Sequence, residues 1–174
     1  MHDFYFHEDE PGQIQVLPIE WRGYCEKSFN DLKAHDEAHF DPASTSWDEM
    51  YTFPEPDPDL PGIRMSEARF VELLKPHARQ FDQLDNPLAE WDKVRAIGFG
   101  PDGGNTGIIA DLDDNSVGTL WCRTYSSNQK DQEVLANLFC ALTTDQHLLL
   151  VGWANHTLVD LRNRADVEEY LQDN

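Results

Sequence analysis

The stretch VRAIGFGPDGGNTGIIADLDDNSVGTLWCRTY, residues 94–125, decides the fold. It holds three β-leaning runs, 94–99, 106–112 and 117–125, separated only by Pro101-Asp102-Gly103-Gly104 and Asp113-Asp114-Asn115-Ser116. Turns this short join antiparallel neighbours, so the three strands read as a meander. C-terminal to it, Asn128 with Asp131 marks a helix start, and Val134, Leu135, Leu138, Phe139 and Leu142 form an apolar stripe at helical spacing. Residues 147–153 are almost continuously hydrophobic, as a central strand requires, and Ala154-Asn155-His156 turns the chain into another strand over 157–161. Asn163 then caps a short helix carrying Val167, Tyr170 and Leu171.

Towards the N-terminus, Asn86-Pro87 reads as a turn. Ser66 suits an N-cap and Glu67 a first turn, while Phe70, Leu74 and Phe81 fall at helical spacing. A helix is therefore expected from about residue 66, with a kink or restart at Pro76. Trp21, Cys25, Phe29 and Leu32 lie on one stripe of an amphipathic helix over roughly 20–35. Residues 4–6 and 14–17 are β-leaning runs flanking an acidic turn at 7–12, and they are expected to form an edge hairpin. Residues 36–62 differ, because Pro42, Pro54, Pro56, Pro58 and Pro61 interrupt a stretch loaded with Asp and Glu, which predicts a long irregular loop. The order β-β-α-loop-α-β-β-β-α-β-β-α describes one α+β domain over 1–174, a mostly antiparallel sheet with helices on one face. Ile109, Trp121, Leu138, Phe139 and Leu150 are expected in its core.

Charge is the unusual quantity. The 174 residues include 33 acidic and 13 basic side chains, a net −20, and residues 1–60 alone carry 15 acids against three bases. Such a field repels nucleic acid and anionic lipid and speeds encounter with a cationic partner. Cys25, Cys122 and Cys140 make an odd set without a CxxC pair, which indicates neither a disulfide framework nor a zinc knuckle and suits a reducing cytoplasm. No run approaches the ~18 apolar residues of a membrane span, and the opening residues lack an export signal's basic and apolar regions.

Several motifs are weak in context. Gly98-Phe99-Gly100-Pro101-Asp102-Gly103 matches GxGxxG, but it passes through a Pro-Asp turn into another strand, where a dinucleotide site needs a helix N-terminus. His35-Asp36-Glu37-Ala38-His39 places two imidazoles four residues apart, as in zinc peptidases, with Asp36 in place of the usual base. No third ligand is marked out downstream, so His35 and His39 are expected not to hold a metal, and no cofactor is expected. Asp111, Asp113 and Asn115 imitate the start of a calcium loop, but Ser116 and Cys122 stand where its Gly and Glu belong. No GxSxG or phosphate loop is present.

Leu148-Leu149-Leu150-Val151-Gly152-Trp153, followed by Leu158-Val159-Asp160-Leu161 and by Val167-Glu168-Glu169-Tyr170-Leu171, resembles the terminal strand, turn, strand and helix of small acidic bacterial immunity proteins. The resemblance implies a cytoplasmic, non-catalytic binder that neutralises a toxin. From the residues themselves, the expected contact surface for a basic protein partner is Trp47, Tyr51 and Phe53 among Asp48, Glu49, Glu55, Asp57 and Asp59, with the aromatics as anchors. The alternative reading is an enzyme with a pocket around His147, His156 and Asp160.

Overall fold

The computed structural model describes residues 2–6, 12–85, 95–126 and 128–173. The elements are β1 (Asp3–Tyr5), β2 (Ile14–Pro18), α1 (Arg22–His39), β3 (Phe40–Asp41), β4 (Ser46–Trp47), α2 (Glu67–Leu74), β5 (Arg79–Gln80) and β6 (Gln83–Asp85). They continue with β7 (Arg95–Gly100), β8 (Gly107–Asp113), β9 (Ser116–Arg123), α3 (Gln129–Leu142), β10 (Leu148–Gly152), β11 (Thr157–Asp160) and α4 (Arg164–Asp173). The chain divides into two compact units, Met1–Ile19 with Gly62–Asn174, and Glu20–Pro61.

The larger unit is an α+β fold built on a seven-stranded sheet of order β11-β10-β2-β9-β8-β7-β5, antiparallel at every junction. The meander of β7, β8 and β9 is as expected, with Asp114 at φ 54° in the second turn. α3 also begins where its sequence signals, the Asn128 side chain accepting the Lys130 amide at 3.0 Å.

The N-terminal strands depart from expectation: they do not form an edge hairpin. β2 enters the middle of the sheet, pairing Leu17 with Leu149 on β10 and Gln15 with Trp121 on β9. None of its residues is exposed, and a strand covered this far satisfies its amides and carbonyls with a neighbour on each side. β1 instead pairs in parallel with β6, Phe4 opposite Leu84. The acidic turn and the Asn86-Pro87 turn lie mostly outside the described residues.

A second correction concerns Phe81. α2 is capped as expected, with Ser66 Oγ accepting from the Arg69 amide at 3.2 Å, but it ends at Leu74 and neither kinks nor restarts at Pro76. Proline has no amide to donate and its ring clashes with the preceding turn, so the chain leaves the helix for β5. Phe81 packs on the sheet face away from α2, α3 and α4, 4.9 Å from Phe4 between ring centroids.

Strand alternation thus makes two cores. On one face Phe99, Ile108, Ala110, Leu120, Cys122, Leu148 and Leu150 meet α2, α3 and α4 through Phe70, Leu74, Leu138, Phe139, Val167 and Leu171. On the other, Ile109 and Trp121 pack with Phe4, Phe6 and Phe81. The five residues expected in one core are all buried, but Ile109 and Trp121 belong to the second.

The second core explains the GxGxxG match. A Cβ at Gly100 would lie 2.2 Å from the Thr106 carbonyl oxygen and 2.5 Å from the Phe81 ring, and one at Gly98 would lie 2.9 Å from the same ring. These glycines let an aromatic side chain lie flat on the strands, and Gly103, at φ 74°, makes the turn. Gly100→Ala is expected to destabilise by about 1–3 kcal/mol, because the obstructing oxygen belongs to backbone and cannot rotate aside. Urea denaturation checks this: an unchanged midpoint with an unchanged slope would refute the packing role.

Candidate functional site

The unit Glu20–Pro61 carries 11 acidic and three basic residues, a net −8. Its frame is α1, which runs four residues beyond its expected end because Glu37 and Ala38 are good helix formers and the first proline comes only at Pro42. The chain then reverses through the small hairpin of β3 and β4, in which Phe40 pairs with Trp47 and Thr45 sits at φ 54°. Asp41 closes that turn by accepting from the Ala43 amide and the Ser44 hydroxyl.

Beyond the hairpin, the proline-rich stretch has no regular secondary structure, yet it runs back along α1 with defined partners. Asp48 meets His39, Tyr51 stacks edge-on against His35 at 5.4 Å, the Tyr24 hydroxyl donates to the Pro54 carbonyl at 2.6 Å, and Trp21 Nε1 donates to the Pro61 carbonyl at 2.9 Å. The partners step backwards along the helix as the strap advances. Prolines suit this arrangement, since they set an extended backbone that needs no ladder hydrogen bonds.

The expected contact residues divide in three. Trp47 and Phe53 are exposed, at 53% and 38%, Met50 is exposed at 89%, and Phe40, which sequence reasoning did not select, joins them at 43%. Glu55, Asp57 and Asp59 are exposed acids on the strap, with Asp57 accepting from the Asp59 amide at 2.9 Å. Asp48, Glu49 and Tyr51 instead converge on the two helical histidines. Asp48 Oδ1 lies 2.9 Å from His39 Nδ1, and Glu49 Oε2 lies 3.6 Å from the same nitrogen.

The His35 and His39 rings stack with centroids 4.4 Å apart. One ligand atom from each of His35, His39 and Glu49 falls within 4.8 Å of the others, so the third group that the sequence did not mark is supplied by the hairpin. Neither ring nitrogen of His35 has a hydrogen-bond partner, although both are buried.

The alternative triad does not assemble. His147 Nε2 lies 2.8 Å from Asp160 Oδ1 at one end of the β10–β11 pair, but His156 sits in the turn at the other end, about 13 Å along the strand. Cavities of about 330, 320 and 340 Å³ lie among the described residues, and none is lined by His147, His156 or Asp160. The Asp111, Asp113 and Asn115 set is a hairpin turn in which Asp111 accepts from Trp121 Nε1. Burial pushes the Cys25 thiol up to about 11 and that of Cys122 higher still, which disfavours thiolate chemistry at either.

The fold and site together define an acidic α+β protein with a proline-strapped helical insert that displays aromatics. Compared with family models, curated proteins and solved structures, the chain matches none of them. Among the described residues, no helix is long and apolar enough to cross a membrane.

Proposed function

We propose that this protein is a non-catalytic binding module whose Glu20–Pro61 unit docks a basic protein partner. The observation that carries the reading is the exposure of Phe40, Trp47, Met50 and Phe53 beside Asp41, Glu55, Asp57 and Asp59. Large apolar side chains exposed within one short stretch of chain mark contact sites, and the neighbouring carboxylates select a cationic surface and repel other acidic proteins. Trp47 is the anchor of this surface, since it has the largest side chain there and is supported by the Phe40 ring at 5.2 Å. An immunity protein that neutralises a basic toxin is the specific form of this reading, supported by the resemblance of the C-terminal segment and by the net charge.

The test is kinetic. Partners captured from host lysate on the immobilised protein are identified, and their binding is measured against variants by surface plasmon resonance. Replacing Glu55, Asp57 and Asp59 with Lys is expected to slow association at least tenfold at low salt, with the difference shrinking as ionic strength rises. Trp47→Ala is expected to cost about 2 kcal/mol or more, chiefly through faster dissociation. Partners that are not basic, or that bind both variants as they bind the parent, would refute the proposal.

A further inference from the structure

We infer that His35, His39 and Glu49 form a binding site for a divalent transition-metal cation of the zinc class. The inference is independent of protein docking, because it rests on side chains turned towards α1 and not on the exposed aromatics.

Four observations converge. The histidines are one helical turn apart on α1 with stacked rings, so both imidazoles address the same space. The β3–β4 hairpin returns a carboxylate to that space, bringing one donor atom from each of the three residues within 4.8 Å of the others. Both His35 nitrogens are buried without a hydrogen-bond partner, an arrangement that a coordinated cation would relieve. Finally, Asp48 Oδ1 lies 2.9 Å from His39 Nδ1 and brings a second carboxylate beside the set, while the Tyr51 ring packs edge-on against His35.

The donor set selects the ion. Two imidazoles and one carboxylate suit zinc and its neighbours, whereas calcium and magnesium favour sites built wholly from oxygen. Three protein ligands leave one position of a tetrahedral site to water or an exogenous donor. Donors around tetrahedral zinc stand roughly 3.4 Å apart, so binding would draw together the three donor atoms, which now lie within 4.8 Å of one another. Metal would thereby clamp the hairpin and the start of the strap onto the last turn of α1.

The experiment uses the full, untagged chain, stripped with chelator and titrated calorimetrically with Zn²⁺, with Ca²⁺ and Mg²⁺ in parallel. One equivalent of Zn²⁺ is expected to bind, with affinity lowered at least tenfold by His35→Ala, His39→Ala and Glu49→Gln. Glu49 is exposed, so Glu49→Gln keeps the test valid if a histidine variant misfolds. The variant with Lys at 55, 57 and 59 is expected to keep its zinc, which separates this site from the docking surface. Zn²⁺ uptake that is equal in the parent and in Glu49→Gln, or that Ca²⁺ matches, would show diffuse carboxylate binding and overturn the proposal.

Discussion

Trp121→Ala is expected to destabilise the protein by about 3–5 kcal/mol, the range for deleting a large buried aromatic. Trp121 is fully buried on the sheet face away from α2, α3 and α4, with its ring 5.0 Å from Phe6 and 6.1 Å from Phe4. Its Nε1 also donates to Asp111 Oδ1 at 3.2 Å. The truncation therefore opens a cavity and removes the donor from a partly buried carboxylate. Trp121→Phe separates these terms, since it keeps most of the ring volume and should cost about 1–3 kcal/mol.

The pair also has a pH signature. Burial holds the Asp111 carboxyl above the usual range, and the Trp121 hydrogen bond partly offsets this. A folded-state value above the unfolded one means that the folded protein binds the extra proton, so this contribution to stability is complete below the unfolded value and is lost as pH rises through the folded one. Trp121→Phe should extend that loss to higher pH. Urea midpoints measured across the acid range check both statements, and a Trp121→Ala midpoint equal to the parent's would show that this face is no core.

Leu138→Ala, on the opposite face, is expected to cost about 2–5 kcal/mol. Leu138 is fully buried on α3, in the cluster that joins the sheet to α2 and α4. Its neighbours along the stripe, Leu135, Phe139 and Leu142, are fully buried too, so the helix cannot easily settle into the void. Calorimetric unfolding checks the size of the effect. A loss below 1 kcal/mol would mean that the helical layer contributes little.

The candidate site was half legible. HxxxH spacing is a local property, because the helical repeat alone puts His35 and His39 on one face. Glu49 carries no such mark. It reaches the histidines only because the chain reverses between Asp41 and Ser46, and that reversal rests on a two-residue strand pair and an Asp41-capped turn within a proline-bearing stretch. The exposure of Phe40 was similarly hidden, since an apolar residue in a stretch read as irregular has no periodicity to say whether it faces in or out. The alternative grouping of His147, His156 and Asp160 turns on register: the β10–β11 pairing sets His147 beside Asp160 and sends His156 to the far turn.

By itself the sequence determined whatever depends on neighbours a few residues apart: the β7–β9 meander from its short turns, the start of α3 from Asn128, the capping of α2 from Ser66, and the acidic field from composition. Only the tertiary structure decided that β2 lies at the centre of the sheet, that Phe81 leaves the helical stripe to cover Gly98 and Gly100, and that Glu49 closes on α1. The reason is the range of the forces. Caps and turns are satisfied by atoms adjacent in the chain, so their residue types announce them. Strand order and the choice of sheet face are settled by burying apolar area against partners tens of residues away, and several sequence-compatible pairings compete until packing selects one.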